Sequence, residues 1–165
     1  MRSMRKPIKV EAEHAADPKR VRMAAVALLA RRDFCSGELR QKLESDGYDR
    51  DLVAEAVNEL VDGKILNDAR YAENYVAYHA ERGQGPVRIA ADLKALDLPS
   101  DVIQTALDTG PDWRQRAREV RIRRFGLAEP ETWAQKAKQG RFLQYRGFSS
   151  DHIRAALGPD FDPDA

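Results

Sequence analysis

Leu43-Glu44-Ser45-Asp46-Gly47-Tyr48-Asp49-Arg50-Asp51-Leu52-Val53-Ala54-Glu55-Ala56-Val57 reads as the end of one helix, a tight turn and the start of another. Leu39 and Leu43 close an apolar helix face. Gly47 can adopt the left-handed conformation that ends a helix, Tyr48 can tuck back as an anchor, and side-chain oxygens near Asp51 can satisfy the free N–H groups that open the next helix. The pattern returns twice at an interval of 50 residues. Leu93 and Leu143, Asp97 and Gly147, Leu98 and Phe148, Asp101 and Asp151, Ile103 and Ile153, Ala106 and Ala156, and Leu107 and Leu157 all fall in register without a gap. Seven such columns are a repeat. Ser100 and Ser149 mark the equivalent helix starts, while Asp97 tolerates the left-handed turn less readily than glycine does.

A further helix precedes each pair. Val21, Ala24, Ala25, Leu28 and Leu29 form an i, i+3, i+4 stripe, and Tyr71, Ala72, Tyr75 and Tyr78 form another. These two helices also align, Arg20 with Arg70, Val26 with Val76 and Arg32 with Arg82. The third copy uses Trp113, Ala117 and Val120, then a longer connection through Gly126 and Pro130 before Trp133, Ala137, Gly140 and Leu143. The sequence therefore predicts an all-α fold of nine helices, as three tandem three-helix repeats over 18–66, 67–110 and 111–158. Small units that bury little alone are expected to stack as an elongated, curved array; the alternative is a compact bundle in which the repeat is a relic. Residues 1–17 and 159–165 have little periodicity and are expected to be flexible.

The 165 residues are 42% hydrophobic and 33% charged, which supports a folded helical chain with solvated outer faces. No apolar run is long enough to cross a membrane and none resembles a secretory signal, so a cytoplasmic protein with no membrane partner is expected. The net charge of +1 conceals segregation. Residues 1–32 carry nine Lys/Arg against three Asp/Glu, 33–111 carry eight against sixteen, and 112–148 carry ten against four. Basic ends around an acidic middle suit a polyanion or an acidic protein surface and discourage uniform wrapping of nucleic acid.

Nothing gathers into a catalytic or metal-binding constellation. His14, His79 and His152 lie in separate units without distinctive ligand spacing. Gly83-Gln84-Gly85-Pro86 lacks the Lys-Ser/Thr pair and the preceding strand of a phosphate loop, and reads as a stiff turn with proline at the first helical position. Cys35 has no second cysteine to pair with and reads as a small, semi-buried side chain. No enzyme activity and no cofactor are expected. The basic residues say more: on a helical wheel Arg114, Arg118 and Arg121 flank the Trp113 stripe on one side, with Arg116 and Arg123 on the other. Lys138, Arg141 and Tyr145 follow an i, i+3, i+7 line with Arg146 beside it, a pattern that serves phosphate contact and base stacking or an ordinary solvated face.

Across residues 20–157 these features resemble the RecX family, modulators of the RecA recombinase. The resemblance is carried by Ala27-Leu28-Leu29-Ala30-Arg31-Arg32-Asp33 with Ser36-Gly37-Glu38-Leu39-Arg40-Gln41-Lys42-Leu43, by Ile65-Leu66-Asn67-Asp68-Ala69-Arg70-Tyr71-Ala72, by Arg82-Gly83-Gln84-Gly85-Pro86-Val87-Arg88-Ile89, and by Lys136 to Lys138 with Arg141-Phe142-Leu143 and Arg146-Gly147-Phe148. Departures fall at Asn67, where the family commonly has Asp, at Asp97, commonly Gly, and at Ala90, where a polar or basic residue is frequent. The resemblance implies a triplet of three-helix modules that engages the RecA nucleoprotein filament along its groove and restrains strand exchange, ATP hydrolysis and co-protease activity. A monomer with modest affinity for single- or double-stranded DNA is expected. A stand-alone DNA-binding helical-repeat protein is the competing reading.

Candidate contacts to RecA or DNA are Arg31, Arg32, Arg40, Arg70, Arg82, Arg88, Arg121, Lys138, Arg141 and Arg146. Arg31 and Arg82 can equally cap helix C-termini, and Arg70 can pair with Asp68 or Glu73. Tyr48, Phe148, Trp113 and Trp133 are assigned to packing.

Overall fold

The computed structural model describes residues 9–163, and within them every regular element is an α-helix. The elements are α1 (Ala12–Ala15), α2 (Pro18–Leu29), α3 (Ser36–Asp46), α4 (Arg50–Asp62), α5 (Asp68–Glu81), α6 (Pro86–Ala95), α7 (Ser100–Asp108), α8 (Trp113–Phe125), α9 (Trp133–Tyr145) and α10 (Ser150–Leu157). Nine of these are the expected triplets. The tenth, α1, is a single turn in the stretch from which no helix was expected, and residues 1–8 of that stretch lie outside the described residues.

The three helix-turn-helix junctions form as the repeat predicts. α3 ends at Gly47 with φ of 105°, and Gly147 after α9 has φ of 94°. The Tyr48 and Phe148 N–H groups reach back to the Leu43 and Leu143 carbonyls at 3.2 and 3.1 Å, closing each helix end. Asp97 takes the same left-handed conformation at φ of 67° despite its side chain. Caps differ between copies. The Asp49 carboxylate accepts from the Asp51 and Leu52 N–H groups, Ser149 and His152 make a reciprocal capping box, and Pro99 offers no side-chain cap.

The chain divides into two compact units, one holding the chain up to Tyr71 with Leu96–Leu98, the other holding Ala72–Ala95 and the chain from Pro99 onward. In the first, α2, α3 and α4 enclose Val21, Ala25, Phe34, Leu39, Leu43, Val53, Val57 and Leu66. Each fully buried Leu there contributes roughly 1.5–3 kcal/mol. In the second, α8, α9 and α10 enclose Ala117, Val120, Ala137, Leu143, Ile153 and Leu157. Phe161 is buried in the same cluster, although it lies in the stretch expected to be a flexible tail. Its ring fills the space over Gly140, where a Cβ would lie 2.7 Å from it.

Contacts between copies repeat as well. In the first unit the Leu96–Leu98 turn of the second copy sits on the N-terminus of α3: the Cys35 thiol donates to the Leu96 carbonyl at 3.5 Å, and a Cβ on Gly37 would lie 2.5 Å from that carbonyl oxygen. In the second unit the turn of the third copy sits on the N-terminus of α6, where the Gly85 N–H donates to the Arg146 carbonyl at 2.8 Å and the Val87 N–H to the Gly147 carbonyl at 2.9 Å. The turn of the first copy is met by Val10, whose N–H donates to the Asp46 carbonyl at 2.9 Å. The acceptors, residues 46, 96 and 146, keep the 50-residue period seen in the sequence. The joints therefore recur with the same period as the modules.

Candidate functional site

Most cations of the first unit are held by the fold. Arg32 forms an ion pair with Glu38 at 2.7 Å and lies 3.6 Å over the Phe34 ring. Arg40 pairs with Asp97 at 3.1 Å, and Arg70 lies 4.0 Å from Asp33 rather than beside Asp68 or Glu73. Asp68 caps α3, accepting from the Ser36 N–H at 2.7 Å and the Ser36 hydroxyl at 2.5 Å, and the Tyr71 hydroxyl lies 3.5 Å from Glu38. The Arg32-Asp33, Ser36-Gly37-Glu38 and Asp68-Ala69-Arg70-Tyr71 phrases therefore meet in one polar network around the start of α3. Arg31 alone among the candidates of this unit stands outside the ion pairs of the described residues.

In the second unit Arg82 folds over the Tyr78 ring at 3.5 Å and donates to the Tyr78 carbonyl near the end of α5. The arginines of α8 are largely consumed internally. Arg114 pairs with Asp151 at 2.7 Å, holding that carboxyl below its usual range through the hydrogen bond, Arg116 pairs with Glu119 at 3.2 Å, and Arg118 donates to the Ala155 carbonyl at 3.0 Å. Arg121 corrects the sequence reading. It is 5% exposed, with Nη1 donating to the Ala128 carbonyl at 3.2 Å and Gln139 Oε1 at 3.5 Å, so it cannot serve as a surface contact. The wheel placed it at the border of the buried stripe, and the α8–α9 connection folds over that border. Trp133 is the converse correction: assigned to packing, it is 69% exposed.

What remains includes cations outside the ion pairs of the described residues, set among rings on α6, α8 and α9. Lys138, Arg141 and Tyr145 are exposed along α9, and Tyr145 is 77% exposed. α6 abuts the α9–α10 turn where Gly147 has no side chain, which sets Arg88 5.9 Å from the Tyr145 ring. Half-buried Phe142 stacks edge-on against Phe125 at 5.3 Å, with Arg146 at 5.3 Å and Arg124 at 5.9 Å from its face. Arg88, Arg124, Lys138, Arg141 and Arg146 all stand outside the ion pairs of the described residues. Cations without carboxylate partners around an exposed ring can neutralise phosphates and stack a base. The α9 line was legible in the sequence; Arg88 and Arg124 join it only through the fold.

Groups with latent chemistry are otherwise occupied. Burial pushes the Cys35 thiol up to about 11, far from a reactive thiolate. Burial also pushes the His79 and His152 imidazoles down, and His152 Nδ1 accepts the Ser149 N–H at 3.3 Å. Among the described residues no group of three or more His, Cys, Asp or Glu gathers to hold a metal ion, and no helix is long and apolar enough to cross a membrane.

Fold and surface together define a tandem three-helix repeat protein that carries a basic, aromatic face on its third module, with Arg88 joining it from the second. The description "RecX, first three-helix domain" matches residues 22–60, "RecX, second three-helix domain" matches 67–107 and "RecX, third three-helix domain" matches 112–157. The chain belongs to the RecX family. It is 43% identical over 145 residues to the regulatory protein RecX of Halorhodospira halophila, covering 87% of this chain and 90% of that one. To the regulatory protein RecX of Pseudomonas savastanoi pv. phaseolicola it is 39% identical over 141 residues, covering 85% and 91%. The crystal structure of RecX from Lactobacillus salivarius superimposes with a TM-score of 0.74 at 23% identity, covering 89% of this chain and 96% of that one, which establishes the common fold.

Proposed function

We propose that this chain binds the RecA nucleoprotein filament and inhibits its recombinase, ATPase and co-protease activities, performing no chemistry of its own. Family membership over all three modules carries the reading, since its relatives are named regulatory proteins. A filament exposes both protein and DNA, and the face formed by Arg88, Lys138, Arg141, Tyr145 and Arg146 suits the DNA, with Arg31 the remaining free candidate on the first unit. On this reading the protein acts in the cytoplasm as a monomer, within homologous recombination, DNA repair and the SOS response.

The test is ATP hydrolysis by RecA on single-stranded DNA with purified chain titrated in. Hydrolysis is expected to fall at or below one chain per RecA, and unchanged hydrolysis together with unchanged filament stability would overturn the reading. The unpaired cations favour one second reading, a stand-alone DNA binder. That reading requires tight binding to DNA without RecA that weakens steeply with salt.

A further inference from the structure

Helix α2 is apolar on two opposite sides. Its inner side holds Val21 and Ala25, both fully buried, with Leu28 packed at the edge. Its outer side carries Met23, Val26 and Ala27 at i, i+3 and i+4, with Ala30 at the cap continuing the line at i+7, all exposed, Met23 at 64% and Val26 at 57%. A three-helix module needs one apolar stripe per helix to close its core, so the second stripe is surplus to that core, although Met23 borders a cleft shared with Val10, Glu11 and His14. Cations border it on both edges. Helical spacing sets Arg22 beside Val26 on one edge, Arg20 and Arg31 beside Ala27 on the other, and Lys19 in line with Met23. Arg20 and Arg22 make long ion pairs of 3.9 Å, to Asp17 and Glu59, and Arg22 Nε also donates to the Pro18 carbonyl at 3.4 Å, while Lys19 and Arg31 stand outside the ion pairs of the described residues.

We propose that the outer face of α2 docks an amphipathic helix of a partner protein whose apolar stripe is bordered by Asp and Glu. The borders fix the sign of the occupant. A second copy docking through the same face would set cationic border against cationic border, and the chain's first eight residues carry Arg2, Arg5 and Lys6 without an acid. Nucleic acid would use the cations and leave Met23 and Val26 without a ring to stack on. A bilayer is disfavoured because the stripe holds no aromatic, Leu or Ile residue and the helix's other apolar side is committed to the core. This docking role goes beyond the RecA reading and does not depend on it.

The probe is a labelled helical peptide of about 18 residues, long enough to hold a helix, with a Leu stripe and Glu borders. Its counterpart has the same stripe with Lys borders. Fluorescence anisotropy with the full chain is expected to show binding of the Glu-bordered peptide only. Val26→Glu and Met23→Glu should weaken it about tenfold or more, and added salt should weaken it further. Both positions are exposed, so thermal melts should stay near the wild type, and Val26→Ser provides a milder check. Equal binding of the two peptides, binding of neither, or a Val26→Glu effect confined to phosphatidylglycerol vesicles or to oligothymidylate would overturn the proposal.

Discussion

Gly85 and Arg146 are joined backbone to backbone, the Gly85 N–H donating to the Arg146 carbonyl at 2.8 Å. The approach leaves no room for a side chain: a Cβ on Gly85 would lie 2.5 Å from the Phe148 nitrogen and closer still to the Gly147 carbonyl. Both are backbone groups that cannot rotate away. Gly85→Ala is therefore expected to destabilise the protein by about 1–3 kcal/mol or more, as overpacking of a tight contact does. Gly110→Ala is the comparison, because its nearest neighbours lie 3.1 Å away and one of them is the Val76 side chain. Urea melts of the two variants should separate clearly, and equal midpoints would show that the α6 joint is softer than its geometry implies.

Arg121 yields a prediction of opposite sign for two substitutions. Its guanidinium is buried without a carboxylate, and its Nε–H finds no partner. Truncation to Ala opens a cavity and strands the Gln139 amide, so Arg121→Ala is expected to lose about 2–4 kcal/mol. The double change Arg121→Met with Gln139→Leu replaces both buried polar groups with apolar volume and should be near neutral or stabilising by about 1 kcal/mol. Thermal denaturation of the pair checks this, and neither variant should alter DNA affinity while folded.

Stability should fall as acid takes the pH below about 6.5, the ordinary imidazole value, and the imidazoles set the sign. His79 and His152 are both pushed down by burial, so the unfolded chain binds protons at a pH where the folded chain does not. Their contribution is complete above the unfolded value and is lost as pH falls through the folded one. His152 has a visible reason: its Nδ1 is the acceptor of the Ser149 capping box, and protonation removes that acceptor. His79→Gln with His152→Gln should flatten the dependence in chemical melts from pH 7.5 to 5, whereas an unchanged slope would place the proton uptake elsewhere.

The modules were legible in the sequence because their signals are local: a left-handed turn, a cap and an apolar stripe each need only neighbours along the chain. The joints were not. That Gly37 and Gly85 abut turns about 60 residues on depends on the approach of two backbones, which no periodicity announces. The site was legible in the same measure. Lys138, Arg141 and Tyr145 share a face by helical spacing alone, whereas the fates of Arg40 beside Asp97 and Arg121 beneath the α8–α9 connection are long-range facts. A helical wheel separates inside from outside but does not say which outside another element will cover.

The face around Tyr145 should divide its work between ring and charge. An exposed ring with Arg88 beside it stacks any base, so Tyr145→Ala is expected to weaken binding to oligothymidylate about tenfold at fixed salt, within the roughly 1–3 kcal/mol of a stacked base. Because no charge is removed, the salt dependence of the remaining binding should be unchanged. Lys138→Ala and Arg141→Ala should instead each shallow the slope of log affinity against log salt by about 0.7, the value for one phosphate contact on a single strand. Arg118→Ala is the control, since Arg118 is engaged with the Ala155 carbonyl and should change stability before slope. Loss of slope at Arg118 but not at Lys138 or Arg141 would move the DNA-facing surface from α9 to α8.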